Sequence, residues 1–97
     1  MAQTVKSVLL SPSESVLLLK KPHASCRIFF SIKVLTDLSM GYRSHISFGD
    51  PTFSSYYTLD GSIQQLEAKG EGIFQGDIWV QNISPSDLIF VAMETLI

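Results

Sequence analysis

The sequence predicts an all-β protein, a single antiparallel β-sandwich domain over residues 1–97. Apolar residues recur with a period of two along most of the chain, as half-buried strands require. Pro and Gly fall between the apolar runs and not inside them. The runs follow one another at the spacing of about 8–12 residues that is typical of sandwiches and barrels.

These observations favour a jelly-roll-like sandwich with about seven or eight strands. No long helical pattern separates the apolar runs, which argues against a parallel sheet with crossover helices. An immunoglobulin-type Greek key is the alternative, but the Cys–Trp–Cys framework of that fold is absent.

The first two predicted strands are short apolar runs at residues 8–10 and 16–19. The third, at 26–36, alternates most clearly, and one of its faces is predicted core: Ile28, Phe30, Ile32 and Val34. Its other face is mixed, because Phe29 and Leu35 lie there among polar residues.

Two strands are predicted in the middle of the chain. Residues 42–48 alternate again, and residues 53–59 are rich in the aromatic and hydroxyl side chains that suit a pleated surface. The dipeptide Asp60-Gly61 that follows is a strong signal for a tight hairpin turn.

Residues 62–70 are compatible with two structures. Ser62 with Gln65 fits the capping box of a short helix, and Gly70 fits its C-terminal stop. The preceding turn signal and the short length favour a strand, and we expect a strand here.

The last two predicted strands lie at residues 76–82 and 87–97. A Ser-Pro-Ser-acid sequence at 84–87 precedes the final strand and repeats the sequence at 11–14. Pro presets φ for a turn, and Ser and the acid can bond nearby N–H groups. We therefore expect both segments to be turns between antiparallel neighbours.

Composition limits the class of protein and its partners. The chain is 45% hydrophobic and only 16% charged, against a usual charged share of about 25%, which excludes disorder. Its longest apolar runs are far shorter than the ~20 residues that span a bilayer, so no membrane partner is expected. The sequence pI of about 5.5 and the lack of a basic stripe argue against nucleic acid.

Cysteine content and the first residues favour a cytoplasmic protein. Cys26 is the single cysteine, so no intrachain disulfide can form. Residues 1–4 lack the basic-then-apolar pattern of a signal peptide.

No catalytic, metal or cofactor site is expected. His23 and His45 are two histidines, whereas a metal site usually needs three or four converging ligands. Cys26 could be a nucleophile with a histidine as base, but no cysteine-hydrolase signature surrounds it. The glycines at 70–76 do not have dinucleotide-loop spacing, and a strand follows them.

The acidic residues near predicted turns have an ordinary explanation. Asp50, Asp60, Asp77 and Asp87 each lie in or beside a predicted turn, and the sequence contains no calcium-loop pattern. We expect these carboxylates to accept hydrogen bonds from turn N–H groups.

Three aromatic residues are the candidates for ligand binding. Tyr56, Tyr57 and Trp79 lie near polar residues, a combination that suits sugars. Strand alternation places Tyr56 and Tyr57 on opposite faces, so one of them is expected to face solvent or a partner.

The C-terminal segment is apolar on both faces, which is the strongest indication of function. One predicted face consists of Leu88, Phe90, Ala92 and Leu96, and the other consists of Ile89, Val91, Met93 and Ile97. Only one set can face the core, so the second set is predicted to lie in or beneath a homo-oligomer interface. Glu94 then needs a pairing group or a position near the rim.

The leading functional prediction is a non-enzymatic, self-assembling binding or scaffold module whose partner is a second copy of the chain. The alternative is a carbohydrate-binding domain that uses Tyr56, Tyr57 or Trp79. A small hydrolase that uses Cys26 or a histidine is the third candidate. The fold class itself does not decide among them, because sandwiches host many functions.

Overall fold

A computed structural model of the chain describes residues 2–36 and 41–97. These residues form eight strands, and none of them lies in a helix long and apolar enough to cross a membrane. The strands are β1 (Ala2–Leu10), β2 (Ser15–Leu19), β3 (Arg27–Val34), β4 (Ser44–Phe48), β5 (Tyr57–Leu59), β6 (Gln65–Lys69), β7 (Ile78–Asn82) and β8 (Leu88–Leu96). The all-β prediction is confirmed.

The strands form two four-stranded antiparallel sheets. Sheet A has the order β1-β8-β3-β6, and sheet B has the order β2-β7-β4-β5. Among the eight strands in the described residues, β4 and β5 are the one pair that is consecutive in the chain and paired in one sheet. Every other connection crosses from one sheet to the other, and the jelly-roll-like prediction is therefore confirmed.

The core lies between the two sheets, where alternate residues of each strand meet. The predicted inward face of β3 is largely correct, since Phe30, Ile32 and Val34 are buried, although Ile28 is only partly buried. The other buried apolar residues are Leu10, Leu18, Leu19, Ile46, Leu59, Ile78, Val80, Leu88, Phe90 and Ala92.

Residues 62–69 contain a strand, as expected, but the hairpin predicted before them is wrong. Asp60 and Gly61 connect β5 in sheet B to β6 in sheet A, so the two strands are not neighbours. The Asp60 carboxylate accepts the N–H groups of Ser62 and Ile63 at 2.8 and 3.1 Å. This side-chain turn redirects the chain into the opposite sheet.

The strand predicted at 53–59 is shorter than expected, because only β5 is extended. Asp50 accepts hydrogen bonds from Thr52 and Ser54 and holds the preceding residues in a loop. Phe53 within this loop has a φ of 55°, which is incompatible with a strand.

The two Ser-Pro-Ser-acid turns lie side by side at one end of the sandwich. The expectation that each turn joins antiparallel neighbours is wrong, because each turn crosses from one sheet to the other. Ser13 N–H donates to the Asn82 carbonyl, and Asn82 N–H donates to the Glu14 carbonyl. The buried Asn82 amide donates to the carbonyls of Leu10 and Ser86 at 2.9 and 2.8 Å. The similar sequences therefore form two adjacent arches.

Candidate self-association surface

Strand β8 occupies an interior position in sheet A, between β1 and β3. Its buried residues Leu88, Phe90 and Ala92 face sheet B. Because side chains alternate along a strand, Ile89, Val91 and Met93 face away from the core. They form the centre of the outer face of sheet A.

A row of four apolar side chains crosses this outer face from one edge to the other. Leu9 pairs with Ile89, and Leu35 N–H donates to the Ile89 carbonyl at 2.8 Å. Val34 N–H donates to the Gln64 carbonyl, which places Ile63 beside Leu35. We call this row the apolar band. Its exposed fractions are 62% for Leu9, 39% for Ile89, 56% for Leu35 and 58% for Ile63.

The rest of the outer face is divided between an apolar half and a polar half. On the β1 side, Val5 lies opposite Met93 and Ser7 lies opposite Val91, and Val5 is 66% exposed. On the β6 side, the outward positions are polar except for the half-buried Phe29, which lies opposite Lys69. The polar residues there are Ser31, Lys33, Gln65, Glu67 and Lys69. The outward residues of β1 and β8 include no charged side chain: Gln3, Val5, Ser7, Leu9, Ile89, Val91, Met93 and Thr95.

The structure brings three of the four predicted interface residues together. Ile89, Val91 and Met93 share the outer face, where Ile89 is exposed and the other two are half-buried between neighbouring strands. Ile97 lies beyond the opposite end of β8, where its backbone exchanges hydrogen bonds with Cys26 at 2.9 and 3.0 Å. The role of these residues in an interface stays a prediction.

Sequence reasoning missed Val5 and Ile63 as members of this surface. Val5 lies four residues before Leu9, so extending the first predicted strand toward the N-terminus would have placed both on one face. Ile63 lies in the segment that we expected to be a strand, but Leu66 there points to the opposite face, so alternation does not show which face is buried. The pairing at Gln64 places Ile63 at the outer face.

Glu94 has the pairing group that its position on the inner face requires. A bulge between Arg27 and Phe29 turns the Arg27 side chain inward, and both charged side chains are buried. The Arg27 Nε donates to the Glu94 carboxylate at 2.8 Å. Its other nitrogens donate to the carbonyls of Phe74, Gly76 and Lys20 at 2.9, 3.0 and 3.1 Å. This buried cluster joins the end of sheet A to two loops.

The three aromatic residues predicted to bind a ligand do not form one site. Tyr56 stacks on His45, with ring centroids 3.7 Å apart. Trp79 lies on the outer face of sheet B between Leu17 and Ser47, because its neighbours in β7 are buried. Tyr57 faces the other way and meets Phe48 edge-on at 5.4 Å. We expected one of the two tyrosines to face solvent, and both are at least half exposed.

In the described part of the chain, Cys26, the possible nucleophile, has no hydrogen bond to a histidine that could act as its base. Cys26 is exposed and lines a cavity of about 350 Å³ with Glu71, Gln75 and Ile97. None of the hydrogen bonds among the described residues joins its thiol to an imidazole. Partial burial, with a smaller contribution from Arg43, lowers the pKa of His45. Among residues 2–36 and 41–97, no three His, Cys, Asp or Glu side chains converge as metal ligands would.

Two of the four predicted turn acids bond to nearby N–H groups as expected. Asp50 accepts hydrogen bonds from Ser54 and Thr52, which hold the pKa of its carboxyl well below the usual range. Asp60 caps the turn that precedes β6. Asp77 instead accepts the N–H of Lys21 at 2.6 Å and so links two distant loops.

No protein-family model and no curated protein sequence matches the chain. Its fold is similar to a de novo designed double-stranded β-helix solved by NMR, with 13% identity and a TM-score of 0.61 over 95% of this chain and 99% of that chain. It is also similar to the cupin-2 domain of an XRE-family transcriptional regulator from Enterobacter cloacae, with 15% identity and a TM-score of 0.57 over 97% and 96%.

A third similar chain comes from the acidic stable capsid structure of Helicobacter pylori bacteriophage KHP30. Its identity is 13% and its TM-score is 0.56, over 100% of this chain and 92% of that chain. At identities this low the likeness concerns the fold alone. The chain therefore has the double-stranded β-helix type of fold, which is a jelly-roll-like sandwich.

Proposed function

We propose that this chain is a non-enzymatic, self-assembling scaffold module of the cytoplasm, and that a second copy covers the outer face of sheet A. The apolar band is the observation that carries the proposal. Fully burying an aliphatic side chain is worth roughly 1.5–3 kcal/mol, so covering the exposed part of four such side chains adds a sizeable fraction of that for each. Single exposed apolar residues are ordinary, but a row of four that crosses the whole width of the sheet is not.

The charge distribution and the size of this face favour a second copy as the partner. The apolar half has no charged side chain that a partner would leave buried and unpaired. Lys33, Glu67 and Lys69 form a polar rim on one side of it. Strand spacing of about 4.8 Å and a rise of about 3.3 Å per residue give the face a footprint of roughly 20 by 30 Å. With side-chain relief, this approaches the about 800 Å² per partner of a standard interface.

The capsid neighbour supports an assembly role for this type of fold. A chain in the KHP30 capsid structure is similar in fold over the whole length of this chain, with a TM-score of 0.56. A capsid is built from many copies of its chains, and closed assemblies of identical copies are the common form of soluble oligomers. We propose that this chain uses its fold in the same general way.

The test replaces two residues of the apolar band. Both are exposed in the isolated protomer, so we expect the fold to tolerate the change. Ile89→Asp combined with Leu35→Asp places two charges in the proposed interface. We expect the variant to keep the β-rich circular dichroism of the parent and to sediment at a lower mass. Sedimentation equilibrium measures that mass directly.

Tyr57→Asp is the matched control, because Tyr57 is as exposed as Leu35 but belongs to the edge strand of sheet B. It should leave the mass unchanged. Equal masses for the parent and the band variant would refute the proposed surface, and so would dissociation of the control.

Carbohydrate binding is the second candidate, favoured by Trp79 on the outer face of sheet B with His45 and Gln81 in the neighbouring row. The single tryptophan makes a fluorescence titration specific to this face. A saturable shift with a simple sugar, lost in Tyr56→Ala, would favour this function. A flat titration across a glycan panel would exclude it.

A further inference from the structure

The four edge strands of the sandwich differ in how well they are protected against pairing with another strand. β5 and β2 are short, and β2 also contains a bulge between Leu17 and Leu19. β6 is short and carries Glu67 and Lys69 on its outward face. Short length, bulges and charges are devices that keep edge strands from pairing.

Strand β1 lacks most of these devices. It is nine residues long, contains no Pro or Gly, and pairs with β8 without a register shift from Ala2 to Leu10. Among residues 2–36 and 41–97, no strand pairs with its other edge. Its single charge is Lys6, whose amine is directed to the Leu17 carbonyl at 3.4 Å. An edge of this length and regularity is a template for another strand.

We propose that two copies pair antiparallel through their β1 edges, with a two-fold axis at Ser7, to form one continuous eight-stranded sheet. The inference rests on the proposed self-assembly and specifies a contact distinct from the outer face. A second copy is the occupant because β1 is complementary to itself in this register. The two outer faces then lie on the same side of the joined sheet.

The side chains of β1 select this register over its neighbours. Centring the pair on Lys6 would place two ammonium groups directly opposite each other, which is unfavourable. Centring it on Val5 leaves Leu9 without an opposite residue in the partner's β1. Centring it on Ser7 places Val5 of each copy opposite Leu9 of the other, so both exposed apolar side chains gain an apolar neighbour.

Edge pairing also extends the surface proposed for face-to-face assembly. Leu9 is the end of the apolar band and belongs to β1. Joining two β1 strands therefore brings the bands of two copies onto one sheet. Edge and face are separate contacts, so variants can remove one and leave the other.

Cysteine cross-linking tests the register. In a Cys26→Ser background, Ser7→Cys places two thiols directly opposite each other across the two-fold axis. Directly opposite residues in antiparallel pairs have Cα atoms about 4.5–5.5 Å apart, which lies within the range that a disulfide spans. Val5→Cys in the same background is the matched control, because it faces Leu9 and not itself. We expect Ser7→Cys to form a disulfide dimer at least about tenfold faster under mild oxidation.

The outcomes separate this inference from the proposed function. Equal or faster cross-linking of Val5→Cys would overturn the register. Failure of both variants to cross-link, in a protein that sediments as an oligomer, would overturn edge pairing and leave self-assembly standing. Failure of both in a protein that sediments as a monomer would overturn the two together.

Introducing opposite charges at positions 5 and 9 provides a second test, which is again measured as the rate of disulfide cross-linking. In the Ser7→Cys background, either Val5→Glu or Leu9→Lys should slow cross-linking at least about tenfold, since each places a charge against an apolar residue. The double variant places opposite charges together across the proposed pair and should recover most of the rate. The two positions are too far apart along one strand, at about 13 Å, to pair within a copy. A double variant as slow as the slower single one would contradict the register.

Discussion

Two buried serines of β4 differ in whether their hydroxyl groups have partners. Ser44 and Ser47 are both fully buried. The Ser47 hydroxyl donates to the Asp50 carbonyl. The Ser44 hydroxyl has no partner in the part of the chain that the structure describes. A buried hydroxyl without a partner costs the free energy of its desolvation, so the two positions should respond oppositely to alanine.

We predict that Ser44→Ala leaves the free energy of unfolding unchanged or raises it by up to about 1 kcal/mol. Ser47→Ala should lower it by about 1 kcal/mol, because it removes a satisfied hydrogen bond. Urea denaturation of the two variants measures the difference. Equal losses in both would mean that the Ser44 hydroxyl has a partner.

His45 makes stability depend on pH in a defined direction. Burial and Arg43 lower its pKa in the folded state below the ordinary value of 6.5. The unfolded chain therefore binds a proton more readily as the pH falls below about 6.5, and acidification through this range destabilises the fold. Above this range the neutral imidazole's contribution is fully present.

We expect the urea concentration at the midpoint of unfolding to decrease as the pH is lowered from about 7.5 to about 5.5. His45→Gln should make this decrease smaller. His23→Gln is the control, because His23 is exposed in the loop between β2 and β3. The expectation fails if the control removes as much of the pH dependence as His45→Gln.

At the scale of single residues, the sequence predicted alternation well but not contacts. The pattern placed Ile89, Val91 and Met93 on one face correctly, because a period of two is a local property. The partner of Glu94 could not be predicted, since a bulge turns Arg27 inward and the two residues are distant in sequence. The stacking of His45 on Tyr56 likewise depends on a loop conformation that Asp50 creates.

At the scale of elements, the buried cluster around Arg27 anchors one end of the sandwich. It connects β3 and β8 to the loop at 70–77 and to Lys20. Gln75 strengthens this connection by exchanging hydrogen bonds with the Arg27 backbone at 2.7 and 2.6 Å. Removal of one charge leaves the other buried without a counter-charge, which is far more destabilising than the loss of an exposed pair.

We predict that Glu94→Ala lowers the free energy of unfolding by about 3–5 kcal/mol. Glu67→Ala in the same sheet should cost less than about 0.5 kcal/mol, because that carboxylate is on the exposed face. Urea denaturation at one pH compares the two. A loss below about 1 kcal/mol for Glu94→Ala would show that Arg27 is held mainly by its three carbonyl partners.

The elements themselves were predictable to different degrees. The strands at 26–36 and 87–97 were identified almost in full, because both carry long runs of alternating or continuous apolar residues. β1 begins well before the predicted residue 8, since its first residues are exposed and are held extended by pairing with β8. The connections were predicted as hairpins and are mostly arches between sheets, which local turn chemistry does not distinguish.

At the scale of the whole molecule, the low share of charged residues corresponds to apolar side chains that are exposed on the surface. The protomer has an accessible surface of 5580 Å². A compact monomer of 10.7 kDa is expected to have about 5,500 Å², so the fold is closed to an ordinary degree. The apolar excess therefore does not come from an open core. Much of it lies on the outer face of sheet A, where the band and Val5 are exposed. Other exposed large hydrophobic residues, including Tyr57 and Ile97, lie elsewhere.

Self-association is the central claim, and sedimentation equilibrium of the unmodified protein tests it most directly. The experiment measures the weight-average mass at several protein concentrations across the micromolar range. The account predicts a mass of at least twice the 10.7 kDa of one chain, reached at micromolar concentration. A mass of 10.7 kDa at every concentration would contradict it.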